Sequence, residues 1–599
     1  MFDDTSIPPG ACTGPFVVPG TGFVPVVTPA ASTARHVPPA GHLLRDPALR
    51  GHYAAAAVAA IPRLLGAIDR NPYSPTYGCL DRQYWHYRTA SFPSGMYQEG
   101  ALPLALAFAT NMPGNRWFGH ARVRQLAVAA IRFAAAGSHA DGSCDDYYPY
   151  ERALGAAVFS LQAAARAYQL LELDDSSVLR WLRQRADWLI EHDESGRLAN
   201  HHALAALGLL RVGQITRLPR YSGAARQCLH RVLAWQNDEG WFEEYGGADP
   251  GYQTVTIDCL AKIRRLTGDI RLDEPLRRAV AFARWFLHPD DSYGGEYGSR
   301  GTYHCYPHGF ELLAGNNADA ADLADGFLRA LASGKQAAFD DDRMFIHRLG
   351  NLMEAYVDWS PRRPAAEDGP PTETSCYLPQ AGMLVHRGGN AHTLISAARG
   401  GVFKHFDAAV APVTDTGLVV ETSSGRIATS QMHTHGRQIE LHDQPEPPTD
   451  GPGQPCPRVI EIGGPLHWCR HETVTPMRQA VFHASMTIVG RWCRDLVRRV
   501  LQRRLITGRL ACGIRLSRRF EFLSAGEGKD GPTLRVTDTI TLTDPSIRIA
   551  RMSFGSDHEA AYVAATGVYQ ESVLGLWIDL QPYVDELNAN RRVVVVREL

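Results

Sequence analysis

A motif recurs along the first part of the chain at intervals of roughly 50 residues, and nothing else in the sequence restricts the fold as much. Each copy is a Gly/Asp turn, then a stretch bearing aromatic residues or histidine, then a helix of small apolar residues. His139-Ala-Asp-Gly-Ser introduces the Tyr147–Tyr150 stretch, and His192-Asp-Glu-Ser-Gly introduces the Asn200 helix. Gln236-Asn-Asp-Glu-Gly-Trp leads to Tyr252, and His288-Pro-Asp-Asp-Ser-Tyr-Gly-Gly leads to His304. The helical segments, such as VRQLAVAAIRFAAA and ALGAAVFSLQAAARAYQLL, carry apolar residues at i, i+3, i+4 and i+7 and are dense in Ala and Leu. Two helices and two loops fill one interval, which predicts a stacked or closed array of helical hairpins. Small residues let the inner helices approach closely, and the polar loop ends gather at one mouth.

Near residue 361 the pattern changes. PRRPAAEDGPPTE has linker composition, and the runs beyond it (HTLISAA, TGLVVET, TLRVTDTITLT, IRIARMSF, RRVVVVREL) shift towards a period of two. A chain of 599 residues exceeds what one core can serve. The expected fold class is therefore multidomain α and β: an N-terminal (α/α) helical toroid or barrel followed by a C-terminal antiparallel β-sandwich. The expected boundaries are a Pro/Gly-rich extended arm at 1–45, the toroid at 46–360, a linker at 361–375 and the sandwich at 376–599.

The formal net charge of −2 gives no reason to expect nucleic acid as a partner. Asp3 and Asp4 stand where a secretory signal would carry positive charge, and prolines interrupt the apolar residues that follow. No apolar run is long enough to span a membrane. The 11 cysteines form no CxxC pairs and read as mostly reduced and buried. These features lead us to expect a cytoplasmic chain.

Three groups of residues stand out for chemistry. Asn200-His201-His202 opens a strongly apolar helix. Tyr245 and Tyr252 flank GGADPG in the next repeat. His405 lies in Gly-Val-Phe-Lys-His-Phe-Asp, early in the β-rich part. Each has a plain structural role open to it: the Asn-His-His can cap its helix, and the tyrosine can be a satisfied core residue. The order of helices then strands, with Asn-His first, a Tyr 52 residues later (252 − 200) and a His in the second part, resembles heparinase II/III and the related alginate and oligoalginate lyases. The resemblance covers the architecture from about residue 46 onward and implies a lyase that cleaves uronate-containing glycans by β-elimination. It implies that Asn200 and His201 neutralise the uronate carboxylate, that Tyr252 serves as acid or base, and that His405 completes the site. The sequence departs from the family where His-x-His-x-Asp is replaced by Lys404-His405-Phe406-Asp407. Related enzymes hold a structural zinc there, and Asp407 with His433 or His435 is too scattered a set to specify one. No cofactor is expected.

The residue types suit the chemistry. Elimination removes the C5 proton of a uronate, and charge builds on the carboxylate, where an amide N–H and a histidine stabilise it. A phenol, with an ordinary pKa of about 10, acts as a base only beside a cationic or hydrogen-bonding neighbour. Tyr97, Gln98, Tyr148, Tyr150, Arg152, His202, Tyr245, Tyr303 and His304 are substrate-binding candidates at presumed helix starts, with Tyr147, Tyr306 and His308 beside them. Aromatic faces stack on sugars, and Arg or His pairs with carboxylates. Two other functions fit the pattern. A glycoside hydrolase on the same scaffold would draw two carboxylates from Asp145, Asp146, Glu243, Glu244 and Asp249. A catalytically inactive protein of polysaccharide biosynthesis would only bind the acidic glycan. Residues 492–507 read as a basic amphipathic helix, suited to a peripheral membrane contact, an acidic glycan or a solvated face.

Overall fold

The structure is a computed structural model that describes residues 42–193, 196–244, 246–339, 342–364, 374–388, 391–407, 410–434, 437–442, 457–469, 475–502, 510–523, 533–556, 568–569 and 574–599. Helices come first: α1 (Arg50–Ala67), α2 (Arg82–Trp85), α3 (Ala101–Ala109), α4 (Ala121–Ala136), α5 (Leu154–Leu170), α6 (Ser176–Glu191) and α7 (Ala199–Thr216). They continue with α8 (Pro219–Ala234), α9 (Pro250–Thr267), α10 (Asp273–Arg284), α11 (His308–Leu313), α12 (Ala318–Ser333) and α13 (Asp342–Asp358).

The odd-numbered helices from α3 to α13 touch in a closed sequence. α3 packs on α5, α5 on α7, α7 on α9, α9 on α11, α11 on α13, and α13 returns to α3. Their composition explains this. α3 reads ALPLALAFA and is buried at every position except the last, which only a helix surrounded on all sides can be. α6 and α10 instead bury one stripe and present Arg, Gln and Asp on the other face. Asp175, Asp249 and Asn317 cap the N-termini of α6, α9 and α12 with side-chain acceptors. Gly268 and Gly334 close α9 and α12 in the left-handed conformation.

Three short strands, β1 (His42–Leu44), β2 (Ala338–Phe339) and β3 (Arg362–Pro364), lie among or beside the helices, and β1 pairs with β3. β4 (Thr374–Leu378), β5 (Met383–Gly388), β6 (Ala391–Ser396), β7 (Val402–Asp407) and β8 (Val410–Asp415) form an antiparallel sheet in sequence order. The remaining strands are β9 (Gly417–Thr422), β10 (Ile427–Thr429), β11 (Gln438–His442), β12 (Val459–Trp468) and β13 (Ala511–Phe522). After them come β14 (Leu534–Leu542), β15 (Ile549–Gly555), β16 (Val568–Tyr569), β17 (Ile578–Asp579) and β18 (Arg592–Glu598). They make a nine-stranded sheet in the order β17-β15-β9-β10-β12-β13-β14-β18, with β11 on β12, while β16 pairs with β2.

Alternation along the five-stranded sheet sets the layering. Cys376, Leu378, Met383, Val385, Leu394, Val402 and Phe406 belong to the same apolar core as the helices. Their neighbours Tyr377, Leu384, Ile395 and Phe403 pack with Ile460, Ile462, Phe520, Leu534 and Val536 of the larger sheet. The smaller sheet is thus a middle layer buried on both faces, and β6 and β7 are buried at every position but Asp407, their polar residues included. The larger sheet has its own core around Leu418, Leu516, Ile540 and Phe554. Among the described residues no helix is long and apolar enough to cross a membrane.

Candidate active site

The turns that begin α7, α9 and α11 bring polar side chains from separate repeats together. Asn200, in the first turn of α7, is fully buried and donates its amide to Glu244 Oε2 at 2.7 Å. Its Oδ1 is buried with no hydrogen-bond partner among the described residues. Successive helical residues point in different directions, and the three residues of this motif separate accordingly. His201 turns towards α5, edge-on to Phe159 with ring centroids 5.9 Å apart and its ring against Gly155. An ideal Cβ on Gly155 would stand 2.9 Å from that ring, so glycine there makes room for the imidazole. His202 turns outward, edge-on to Trp235 at 4.9 Å, and burial lowers its pKa to about 4.

Tyr252 lies in the first turn of α9. Asp249 caps that helix by accepting the Tyr252 N–H on Oδ1 at 3.0 Å. The same carboxylate accepts the Arg300 N–H on Oδ2 at 2.9 Å and the Thr302 hydroxyl, so one buried side chain fixes both Tyr252 and the turn carrying Arg300. Tyr252 meets His304 edge-on at 5.7 Å, His304 meets Tyr306 at 5.9 Å, and Tyr306 meets His347 of α13 at 4.7 Å. His347 then meets Phe159 at 5.0 Å, which leads back to His201. Six rings from α5, α7, α9, the loop before α11 and α13 therefore follow one another around the helix starts. Glu99 accepts from or donates to His347 Nδ1 at 2.5 Å. The Tyr306 hydroxyl, His347 Nε2 and Glu99 Oε2 are buried and have no hydrogen-bond partner among the described residues. Buried polar atoms are rarely left so, and a cluster of them marks a place where a polar ligand or water completes the bonding.

Electrostatics ties the group together. Burial raises Glu244 to about 7, against the opposing pull of His201, Arg300 and the Asn200 amide. Burial lowers His201, Glu244 raises it and Arg300 adds to the lowering, so the imidazole is neutral at pH 7. The ensemble offers an amide donor, a guanidinium, a neutral imidazole, a phenol and a carboxyl that changes charge near neutrality.

The structure does not bring His405 to this group. On β7 the side chains alternate, and His405 faces the larger sheet, with Nδ1 2.9 Å from Thr393 Oγ1 and Nε2 3.3 Å from Thr533 Oγ1. Lys404, one residue earlier, faces the helices and pairs with Glu296 at 3.1 Å. Among the described residues of the β part, His433 lies against Gly247, in the turn that follows Glu244. Its Nε2 would stand 2.6 Å from a Cβ on Gly247, beside Ser299. Asp407 accepts from Thr533, and His435 is outside the described residues. Among the described residues no group of three or more His, Cys, Asp or Glu side chains is placed to hold a metal.

The binding candidates divide. Tyr245 is outside the described residues. His304 is in the ring series, whereas Tyr303 donates its hydroxyl to Glu296, under the Lys404 side chain. Gln98 is buried and donates to Cys79 Sγ, while Tyr97 beside it is only partly buried. Tyr148 is buried and packs edge-on against Phe482 at 5.4 Å. Tyr150 and Arg152 have φ of 59° and 50°, and the Asp145 carboxylate accepts both backbone N–H groups, which holds them in this unfavourable region. Asp145 is thereby spent on the turn, and Glu243 pairs with Arg197 on the surface. His308 is a structural residue between Asp258 and Asp358. Arg300, His347, Glu99 and the place of His433 beside Gly247 are not legible from the repeats, because no turn motif marks them.

No protein-family profile matches the sequence. No curated protein matches it either. Solved structures do resemble it at low identity, and several are polysaccharide lyases. The chondroitin AC lyase of Streptomyces coelicolor A3, solved with chondroitin sulphate, is 12% identical with a TM-score of 0.46, and the match covers 85% of this chain and 70% of that one. A Paenibacillus xanthan lyase is 11% identical with a TM-score of 0.46, covering 85% of this chain and 46% of that one. An unsaturated glucuronyl hydrolase specific for heparin is 10% identical with a TM-score of 0.36, covering 52% of this chain and 96% of that one.

Proposed function

We propose that the protein is a glycan lyase that cleaves a uronate-containing polysaccharide or oligosaccharide by β-elimination. The observation that carries this reading is the meeting of Asn200, His201 and Arg300 around the switchable carboxyl of Glu244, with Tyr252 tied to the Arg300 turn through the Asp249 carboxylate. In the proposed reaction Asn200 and Arg300 bind the uronate carboxylate and stabilise the charge that builds on it. Neutral His201 or the Tyr252 phenolate takes the C5 proton. The C5–H electron pair forms the C4=C5 double bond, the C4–O bond breaks, and the leaving oxygen takes a proton from the Tyr252 hydroxyl or from Glu244. Water is neither consumed nor needed.

The test is absorbance of the unsaturated product in the near ultraviolet on a panel of acidic polysaccharides. We expect signal with the wild type and a fall of roughly 10²- to 10⁴-fold in Tyr252→Phe and in Asn200→Ala. A flat wild-type trace on every uronate, with none of the panel cleaved, would remove the lyase reading. The hydrolase reading has one observation behind it: Glu244 is neutral up to about pH 7, as a glycosidic acid must be. Reducing ends released without absorbance would decide for it.

A further inference from the structure

β12 and β13 are neighbours in the large sheet, joined antiparallel near His467 and Ala511. Such a pair needs only a short turn, and connections of more than about 12–15 residues inside a domain are usually functional. Here the connection carries α14 (Pro476–Ser485), a π-helical turn at Met486–Gly490 and α15 (Arg491–Gln502). One side of this pair faces the protein: Phe482 packs on Tyr148, His483 lies 6.4 Å from Phe92, and Met486 is buried.

The other side is apolar and exposed to solvent. Met477, Val481, Ile488, Trp492, Leu496 and Val500 are spaced by four or seven residues, which sets them along one stripe. All six are more than half exposed, with Met477 at 74% and Trp492 at 69%. A stripe of this size is unusual on a soluble surface and marks an interaction site. Its composition says with what. Residues 476–502 hold five arginines and a single acid, Asp495. A second copy of the chain docked about a twofold axis would set arginine against arginine. A soluble polyanion would satisfy the arginines and leave the apolar stripe in water. An anionic lipid surface satisfies both.

We propose that the Pro476–Gln502 helix pair is a membrane-surface anchor, lying in the plane of an anionic leaflet with the Met477–Val500 stripe among the acyl chains and its arginines at the phosphate level. This does not rest on the lyase reading. Because Phe482 packs on Tyr148, an anchored molecule holds that side of the helix-start mouth beside the lipid.

The experiment is co-sedimentation of the full chain with phosphatidylglycerol/phosphatidylcholine vesicles and with pure phosphatidylcholine vesicles, across a salt series. We expect binding to the anionic vesicles, weakened by salt, and little to the neutral ones. The double variant Trp492→Asp/Leu496→Asp should bind at least tenfold less, with thermal unfolding recorded beside it to show that the variant remains folded. Failure to bind anionic vesicles at low salt overturns the proposal. So does binding that the double variant leaves intact. Sedimentation velocity without lipid supplies the last arm: a dimer abolished by the double variant would assign the stripe to a second copy instead.

Discussion

A carboxyl whose pKa lies near 7 is half ionised under ordinary conditions, and Glu244 is in that state against Asn200, His201 and Arg300. The sign of its effect can be worked out. Its pKa in the folded protein is above the ordinary value, so the fold favours the protonated form. The resulting stability is fully present below about pH 4.5 and is lost as pH rises through about 7. Glu244→Gln keeps a neutral group there at all pH, and should be more stable than the wild type at pH 8 by on the order of 2 kcal/mol in thermal or denaturant unfolding. In the proposed reaction ionised Glu244 also repels the substrate carboxylate. KM should therefore rise above about pH 7 in the wild type and stay flat in Glu244→Gln. An alkaline rise that persists in the variant would take Glu244 out of the site. At this scale the sequence is legible where a residue heads a periodic helix: a turn motif precedes Asn200 and Tyr252, and each stands in the first turn of its helix. Glu244 is named in the sequence only as one of five candidate carboxylates, Arg300 lies in a turn without a period, and His347 is an interior position of α13, so no pattern relates them to Asn200.

The element that joins the site together is the α9 N-terminus. An N-cap aspartate ordinarily serves its own helix, but Asp249 also holds the Arg300 backbone and Thr302 from the next repeat. Asp249→Ala removes the cap and leaves those donors buried without an acceptor, at a combined cost of about 2–4 kcal/mol. We expect a lower melting temperature and at least a tenfold fall in kcat/KM, measured well below that melting temperature. Asp249→Asn keeps one acceptor oxygen and should fall between. Equal activity in wild type and Asp249→Ala would show that Tyr252 and Arg300 do not depend on this cap. Helices were legible as elements because the 3.6 period is strong in Ala- and Leu-rich segments. The phase of β7 was not. Both of its faces are buried, so the run Val402-Phe403-Lys404-His405-Phe406 carries no polar side to say which face meets the helices, and His405 reads as easily into the site as Lys404.

Across the whole molecule, helices and middle sheet share one core, and the described residues from Pro38 onward belong to a single compact unit. Polar links cross the same junction. Glu239 accepts the Gln380 and Ala381 N–H groups, Arg399 donates to the Gly298 carbonyl, and Lys404 pairs with Glu296. The last pair is almost fully excluded from water on both sides. Desolvation makes such a pair nearly neutral as a whole and costly when halved. Lys404→Met leaves the Glu296 carboxylate buried without its cation, and should cost about 3–5 kcal/mol. Adding Glu296→Gln removes the stranded charge and should recover most of that loss. The readout is the number of unfolding transitions as well as their midpoint. If the shared core makes helices and sheets one cooperative unit, near-ultraviolet and far-ultraviolet circular dichroism should shift together in Lys404→Met and return together in the double variant. Two separated transitions in the single variant would mean that the helical array and the sheets fold independently, joined at a contact that contributes position without cooperativity.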